Sequence, residues 1–289
     1  MLRGPLGKAK YKPKFSGHDT FPFRYAWLTK IAHYLEDGCL KKIKEFDRYK
    51  LETMSEFGVG LNMVKSLRHW SQVTKICDKN FMLTMGTRLL GFLSGSSTLF
   101  LMPFYIQLVK GIDPEKAGLI IFPGALGMSI TASFSGRLSD KYGEKPFVIL
   151  GLTIILISSF LFSLFNTNTS TSLIIIVLMI HGLGMGIWGT PNSSQTVSIV
   201  PKNTYGSVAA LINLIRTVGM GVSIAISSSL ITLSFIGLGL NSDFSSVKES
   251  FSAEQSTAFL EGFKTAYYVL MSICLISIFL AAITKINNR

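Results

Sequence analysis

Six apolar stretches dominate the last two-thirds of the chain, at roughly 83–109, 116–136, 147–165, 172–196, 206–236 and 263–284. Each is close to or above the ~20 residues that a helix needs to cross the hydrocarbon core of a bilayer. The composition agrees: 48% of the 289 residues are hydrophobic, only 15% are charged, and the mean hydropathy is +0.43. Such a chain is excluded from the purely soluble class. The expected fold is all-α: a polytopic membrane protein of six transmembrane helices at residues 81–289, preceded by a small helical module at residues 1–80.

Charge separates the two parts. Residues 1–80 carry 16 Lys/Arg against 8 Asp/Glu, whereas residues 81–289 carry 12 against 8 over more than twice the length. The first residues, MLRGPLGKAKYKPK, are basic and lack the apolar core of a signal peptide, so the N-terminus is expected in the cytoplasm. Six crossings return the C-terminus to the same side. The inner connections then hold Arg137, Lys141, Lys145 and Lys202, with Lys285 and Arg289 in the tail. The outer connections hold Lys110, Lys116 and Lys248, with Lys264 at the entrance of the last span. The long outer segment 241–261 adds Asp243, Glu249, Glu254 and Glu261. This distribution follows the positive-inside bias and predicts a multi-pass plasma membrane protein, bacterial inner membrane, with both termini cytoplasmic.

The segment GRLSDKYGEKP, 136–146, has glycines and charges spaced for a tight turn between two membrane helices. Glycine lets helix ends approach closely, and Asp140 can pair with a cation or a helix N-terminus in one conformation and release it in another. The pattern resembles the loop between the second and third helices of each half of the major facilitator superfamily. Gly136, Leu138, Asp140, Lys141, Gly143 and Lys145 match it, and Glu144 stands where a basic residue is usual. LMPFYIQLVKGIDPEKAGLIIFPGALG at 101–127 and GMGIWGTPNSSQTVSIVPKNTYGSVAALINLIRTVGMGVSIAI at 184–226 extend the likeness to the fourteen-span drug:proton antiporter branch. The resemblance covers about residues 81–289, the C-terminal six-helix part. It implies carriage of a small-molecule substrate across the lipid bilayer by rocking one bundle against another, usually driven by protons. Alternating access needs two bundles, so the resemblance also implies a second transporter half, a second copy of the chain, or a longer parent chain of which this is a piece. No Asp or Glu falls within the six apolar runs, so the usual intramembrane proton carrier is absent from them.

The polar residues left inside the runs are the candidate cavity groups. Arg216, about ten residues into the fifth run, is costly in lipid unless it faces a cavity or partner, or snorkels to the headgroups. His181 titrates near neutral pH as a free side chain, and a hydrogen-bonded packing role is its alternative. Gln107, Trp188, Asn192, Gln195 and Asn213 either line a polar cavity or join helix to helix. Gly184, Gly186 and Gly189 satisfy G-x-G-x-x-G, but a dinucleotide site needs a preceding strand and a later acidic residue. Here there is no Asp or Glu from 145 to 242,. Gly182 and Gly186 are better read as a small-residue packing face, with Pro191 as a kink point. Cys39, Cys77 and Cys274 have neither CxxC spacing nor an even count, so no metal site or disulfide framework is expected. No cofactor is called for, and no nucleophile–base, P-loop or metal-ligand arrangement suggests an enzyme.

In the N-terminal part, 25–76 reads as short helices broken at Asp37-Gly38 and at 57–60. A helix-turn-helix would project Asn62, Lys65 and Arg68 toward nucleic acid, while a plain αα-hairpin would leave them solvated. FSGHDTFPFRYAWL at 15–28 and GVGLNMVKSLRHW at 58–70 resemble the start of a bacterial domain-of-unknown-function family, number 4007. That resemblance implies a winged-helix-like module. His18 and Asp19 are adjacent, but with no nucleophile or third ligand nearby they read as structural. The expectation is transport, with proton-coupled, drug-like efflux as its finer form. The alternatives are a membrane-anchored DNA-binding or defence-associated regulator and an inactive fusion of two gene fragments.

Overall fold

The computed structural model describes residues 79–200, 205–240 and 251–284. The chain divides into two compact units, Met1–Lys79 and Asn80–Arg289. The module containing Asn62, Lys65, Arg68, His18, Asp19, Cys39 and Cys77 lies outside the described residues.

Six long apolar helices make up the second unit: α1 Lys79–Val109, α2 Pro114–Tyr142, α3 Glu144–Ser163, α4 Thr171–Ser198, α5 Tyr205–Gly237 and α6 Ala253–Ile283. No strand occurs among the described residues. The caps follow local chemistry. Pro114 opens α2 at a position where a missing N–H costs nothing,. The Ser170 side chain accepts from the Leu173 N–H at the start of α4,. Ser252 and Gln255 form a reciprocal capping box at the start of α6,.

That capping box corrects the expected course of the last segment. Residues 253–262 are helical, so Glu254 and Glu261 lie on α6 and not in a loop. The apolar run was nonetheless meaningful. A 31-residue helix is about 46 Å long at 1.5 Å per residue,, against a hydrocarbon core of about 30 Å. The stretch after Phe263 is sufficient to cross, and the first turns extend beyond it. Asp140 likewise falls in the last turn of α2.

α4 packs most extensively against α2 and α3, α6 against α3 and α5. The α2–α4 seam depends on glycine. A Cβ on Gly182 would overlap the Gly124 carbonyl, and one on Gly186 would strike Thr131 and the Met128 carbonyl. Close backbone approach of this kind is how helices associate where lipid supplies no hydrophobic drive. α1 is less regular: it runs as Lys79–Gly95, Ser97–Phe104 and a π-helical turn Tyr105–Val109. Pro103 inside it removes one backbone donor,. Across the break at Ser96, buried hydroxyls tie α1 to α5. Ser223 Oγ donates to the Leu93 carbonyl at 2.6 Å, Ser227 Oγ donates to Ser97 Oγ at 2.7 Å, and Ser97 and Ser223 are in hydroxyl contact.

Two ends of the bundle differ in content. At the end bearing the α1–α2 and α3–α4 connections, Tyr105, Phe162, Phe165, Phe235, Phe251, Phe259, Phe263 and Tyr267 form the heart of the largest core cluster. Tyr105 and Phe263 stack at 5.4 Å, and Phe263 meets Tyr267 edge-on at 4.8 Å. At the opposite end, where α2 turns into α3, the apolar cluster is smaller: Phe81, Met85, Val200, Val208 and Ile212.

Candidate functional site

The α2–α3 turn is reduced to a single residue. Gly143 is both the C-cap of α2 and the N-cap of α3, with φ +90° and ψ 150°. That conformation strains any side chain bearing a Cβ. Gly136, one helical stretch earlier, sits where a Cβ would be 3.1 Å from Thr190 Cγ2 of α4. Lys145 reaches across to the end of α6, donating to the Ala282 carbonyl at 2.5 Å and the Thr284 carbonyl at 2.9 Å. A cation on the unpaired carbonyls of a helix C-terminus is favourable on both hydrogen-bonding and dipole grounds. Lys141 lies 5.1 Å from the Tyr142 ring. Leu138 and Asp140 are exposed. Among the described residues Asp140 forms no ion pair in this conformation.

The candidate cavity residues do not form one group. Gln107 is half-buried on the π-helical turn of α1, beside a small hollow lined with Pro103, Phe104 and Leu108. His181 lies mid-bundle and buried. Its Nε2 donates to the Gly95 carbonyl at 3.0 Å, and Nδ1 is 2.9 Å from the Ser158 hydroxyl. With a carbonyl able only to accept, Nε2 carries the proton, and both ring nitrogens are used within the protein. His181 borders an apolar hollow of about 120 Å³ between α1, α2 and α4, with Leu99, Ile121, Gly124 and Met128 among its walls. Trp188 is fully buried, meeting Phe92 edge-on at 4.8 Å, and it occupies the notch left by Gly91 and Gly151.

A third cluster, nearer the Gly143 end, centres on Arg88, a residue absent from the sequence-based candidates. It lies nine positions into α1, yet its side chain is 5% exposed. Snorkelling to the headgroups is therefore not its role. Nε donates to the Ile212 carbonyl of α5 at 3.4 Å. Nη1 donates to Asn192 Oδ1 at 3.1 Å and Ser193 Oγ at 2.9 Å, both on α4. The guanidinium also lies 5.1 Å from the Phe92 ring, a cation–π contact. Among the described residues no carboxylate pairs with it. A charged side chain at the centre of a membrane helix costs roughly 2.5–3.5 kcal/mol on insertion scales. Neutral hydrogen bonds offset part of that and leave the charge uncancelled.

Asn192 and Gln195 are buried in the same part of α4. Asn192 Nδ2 and Trp188 Nε1 are buried without a hydrogen-bond partner. Asn213 and Arg216 belong to the outward face of α5, exposed together with Thr217. Arg216 lies one helical turn beyond Ile212, whose carbonyl accepts from Arg88,. The structure thus brings Asn192 and Ser193 onto Arg88, with Trp188 and Arg88 both against the Phe92 ring and Arg216 one turn beyond Ile212, and leaves Gln107 at the far end and His181 between. Arg88 was discoverable by the argument applied to Arg216, since both are cations inside an apolar run, Arg88 about five residues in and Arg216 about ten.

The described residues contain no group of three or more His, Cys, Asp or Glu able to hold a metal ion. Cys274 is a buried free thiol donating to the Leu152 carbonyl. The three glycines at 184, 186 and 189 lie on a continuous helix, where 184 and 186 are packing contacts and 189 faces open space.

Comparison with known proteins places these features in a family. The Major Facilitator Superfamily profile matches residues 35–224, more than half of the chain, beginning within the segment assigned to the N-terminal module. The riboflavin transporter RibZ of Clostridioides difficile is 29% identical over 181 residues, 63% of this chain and 37% of the relative. Lincomycin resistance protein LmrB of Listeria innocua is 26% identical over 153 residues, 52% of this chain and 32% of the relative. A multidrug resistance protein B homolog of Mycobacterium tuberculosis is 28% identical over 137 residues, 47% of this chain and 25% of the relative. The chain spans well under half the length of these curated relatives.

Proposed function

Because the chain belongs to the major facilitator superfamily, we propose that these residues form one six-helix bundle of a small-molecule transporter, working against a second bundle. The outward face of α5 carries this reading: Asn213, Arg216 and Thr217 are exposed on a membrane-spanning helix. Lipid cannot solvate such groups, and intramembrane polar side chains characteristically face a bundle interior or a water-filled cavity. A cavity between two bundles supplies that water, and rocking the bundles opens it to one side and then the other.

In this reading the Gly143 turn faces the cytoplasm, both termini lie inside, and the basic residues 1–80 remain there. The turn takes part in gating. Lys145 holds the end of α6 in the present conformation, and Asp140 is free to pair in the other. The cargo is drug-like, in keeping with relatives named for lincomycin and multidrug resistance, and a proton gradient drives it outward.

The test is transport by proteoliposomes containing the assembly extracted from membranes, with its bundle number read by cross-linking. The panel comprises riboflavin, lincomycin and lipophilic dyes. At least one compound is expected to move with an imposed proton gradient and to stop when a protonophore collapses it. Asp140→Asn is expected to slow movement about tenfold, with amounts in the membrane unchanged, the scale of losing one charge-assisted contact. Absence of gradient-dependent movement of every compound by folded protein overturns the proposal. Labelling of a cysteine placed at Asp140 from outside intact cells overturns the orientation.

A further inference from the structure

The Arg88 cluster has more hydrogen-bond donors than it can use. A guanidinium has five N–H groups and no acceptor. Only Nε and Nη1 are engaged among the described residues, on Ile212, Asn192 and Ser193. Asn192 Nδ2 and Trp188 Nε1 are further buried donors with no partner. Arg216, one helical turn beyond Ile212 on α5, adds a second positive charge on the face that is open,. Two cations and a surplus of N–H groups, in a low-dielectric region without a paired carboxylate among the described residues, describe a site short of one anion.

We infer that Arg88 and Arg216 form a receptor for the carboxylate group of a small organic anion, with Asn192 and Trp188 supplying further N–H donors. A carboxylate fits better than a compact point charge. Its two coplanar oxygens match the fork of a guanidinium, and it brings several acceptor lone pairs to donors that lack them. Arg216 on the outward face meets the anion first, and Arg88, one helix inward, holds it. Ser193 and the Ile212 carbonyl keep the guanidinium in place when the site is empty. The inference rests on the transport reading only for the route by which the anion arrives, since binding itself requires no movement across the membrane.

The experiment is equilibrium binding of benzoate to the full chain in nanodiscs, with benzamide as the neutral isostere and inorganic phosphate as a second anion. Saturable benzoate binding is expected, with benzamide at least about tenfold weaker, the range for losing a charge-assisted hydrogen bond. Arg88→Gln is expected to abolish it, Arg88→Lys to retain part of it, and Arg216→Gln to weaken it about tenfold or less. Since Arg88→Gln can also disturb folding, each variant is paired with its thermal unfolding profile, and the Lys and Arg216 variants keep the test decisive. Benzoate and benzamide binding equally, benzoate binding that survives Arg88→Gln in folded protein, or no saturable carboxylate binding by folded wild-type protein each overturns the inference. Phosphate displacing benzoate at equal concentration overturns the assignment to carboxylates. Benzoate binding without transport leaves this site standing and removes the transport proposal; transport without benzoate binding does the reverse.

Discussion

The aromatic end of the bundle and the Arg88 end use opposite means of joining the same helices. Around Phe263 the contacts are ring on ring, and the tyrosine hydroxyls among them are both used: Tyr105 donates to the Asn166 carbonyl at 2.7 Å and Tyr267 to Thr98 at 3.4 Å. Around Arg88 a charge is held by neutral groups, and two nearby N–H donors remain idle. The first arrangement holds no charge that calls for a counter-charge. The second stays incomplete until something with negative charge enters. In a protein that must hold together while exposing a binding site, cohesion and reactivity have been assigned to different ends of the same helices.

Substitutions sharpen that contrast, and thermal or denaturant unfolding in detergent measures each one. Phe263→Ala is expected to have the largest effect, a loss of about 3–5 kcal/mol, because a fully buried ring is removed from a core unable to close over the void,. A loss below about 1 kcal/mol would show that the aromatic end is not the cohesive one. Gly182→Ala comes next at about 1–3 kcal/mol, because the added methyl meets the Gly124 backbone and forces α2 and α4 apart,. Wild-type stability in that variant would mean the seam is not as tight as drawn. The double substitution Arg88→Met with Asn192→Leu is expected to change stability by less than about 1 kcal/mol in either direction, since an uncancelled buried charge and its idle amide are removed together. A loss above about 2 kcal/mol would make Arg88 a structural strut and erase the difference between the two ends.

Much of this architecture was legible in the sequence, for a simple reason. Lipid tolerates few backbone arrangements, so long apolar runs and the turn from Gly136 to Lys145 determine six helices and their order. Helix ends were harder to read. Hydropathy falls at Glu254, Glu261 and Lys264, although the helix starts at Ala253; its start is written in Ser252 and Gln255, a hydrogen-bonding signal to which hydropathy is blind. The site was partly legible. Asn192, Gln195 and Arg216 were evident as polar residues in apolar runs, and Arg88 was open to the same reading, but which of them share a cluster depends on helix rotation, and the depth of Arg88 shows only in its burial. His181 shows the limit most clearly, because its two partners, Ser158 and the Gly95 carbonyl, come from other helices and leave no trace in its own neighbourhood of sequence.

The lone Gly143 between α2 and α3 constrains how this bundle can move. With no slack between them, neither helix can slide along its axis without dragging its neighbour, so the pair behaves as one hairpin-shaped lever. Because α4 is seated against both arms of that lever, a small tilt at the turn is transmitted as a displacement of the helix that carries Asn192 and Ser193, and so reaches the guanidinium they hold.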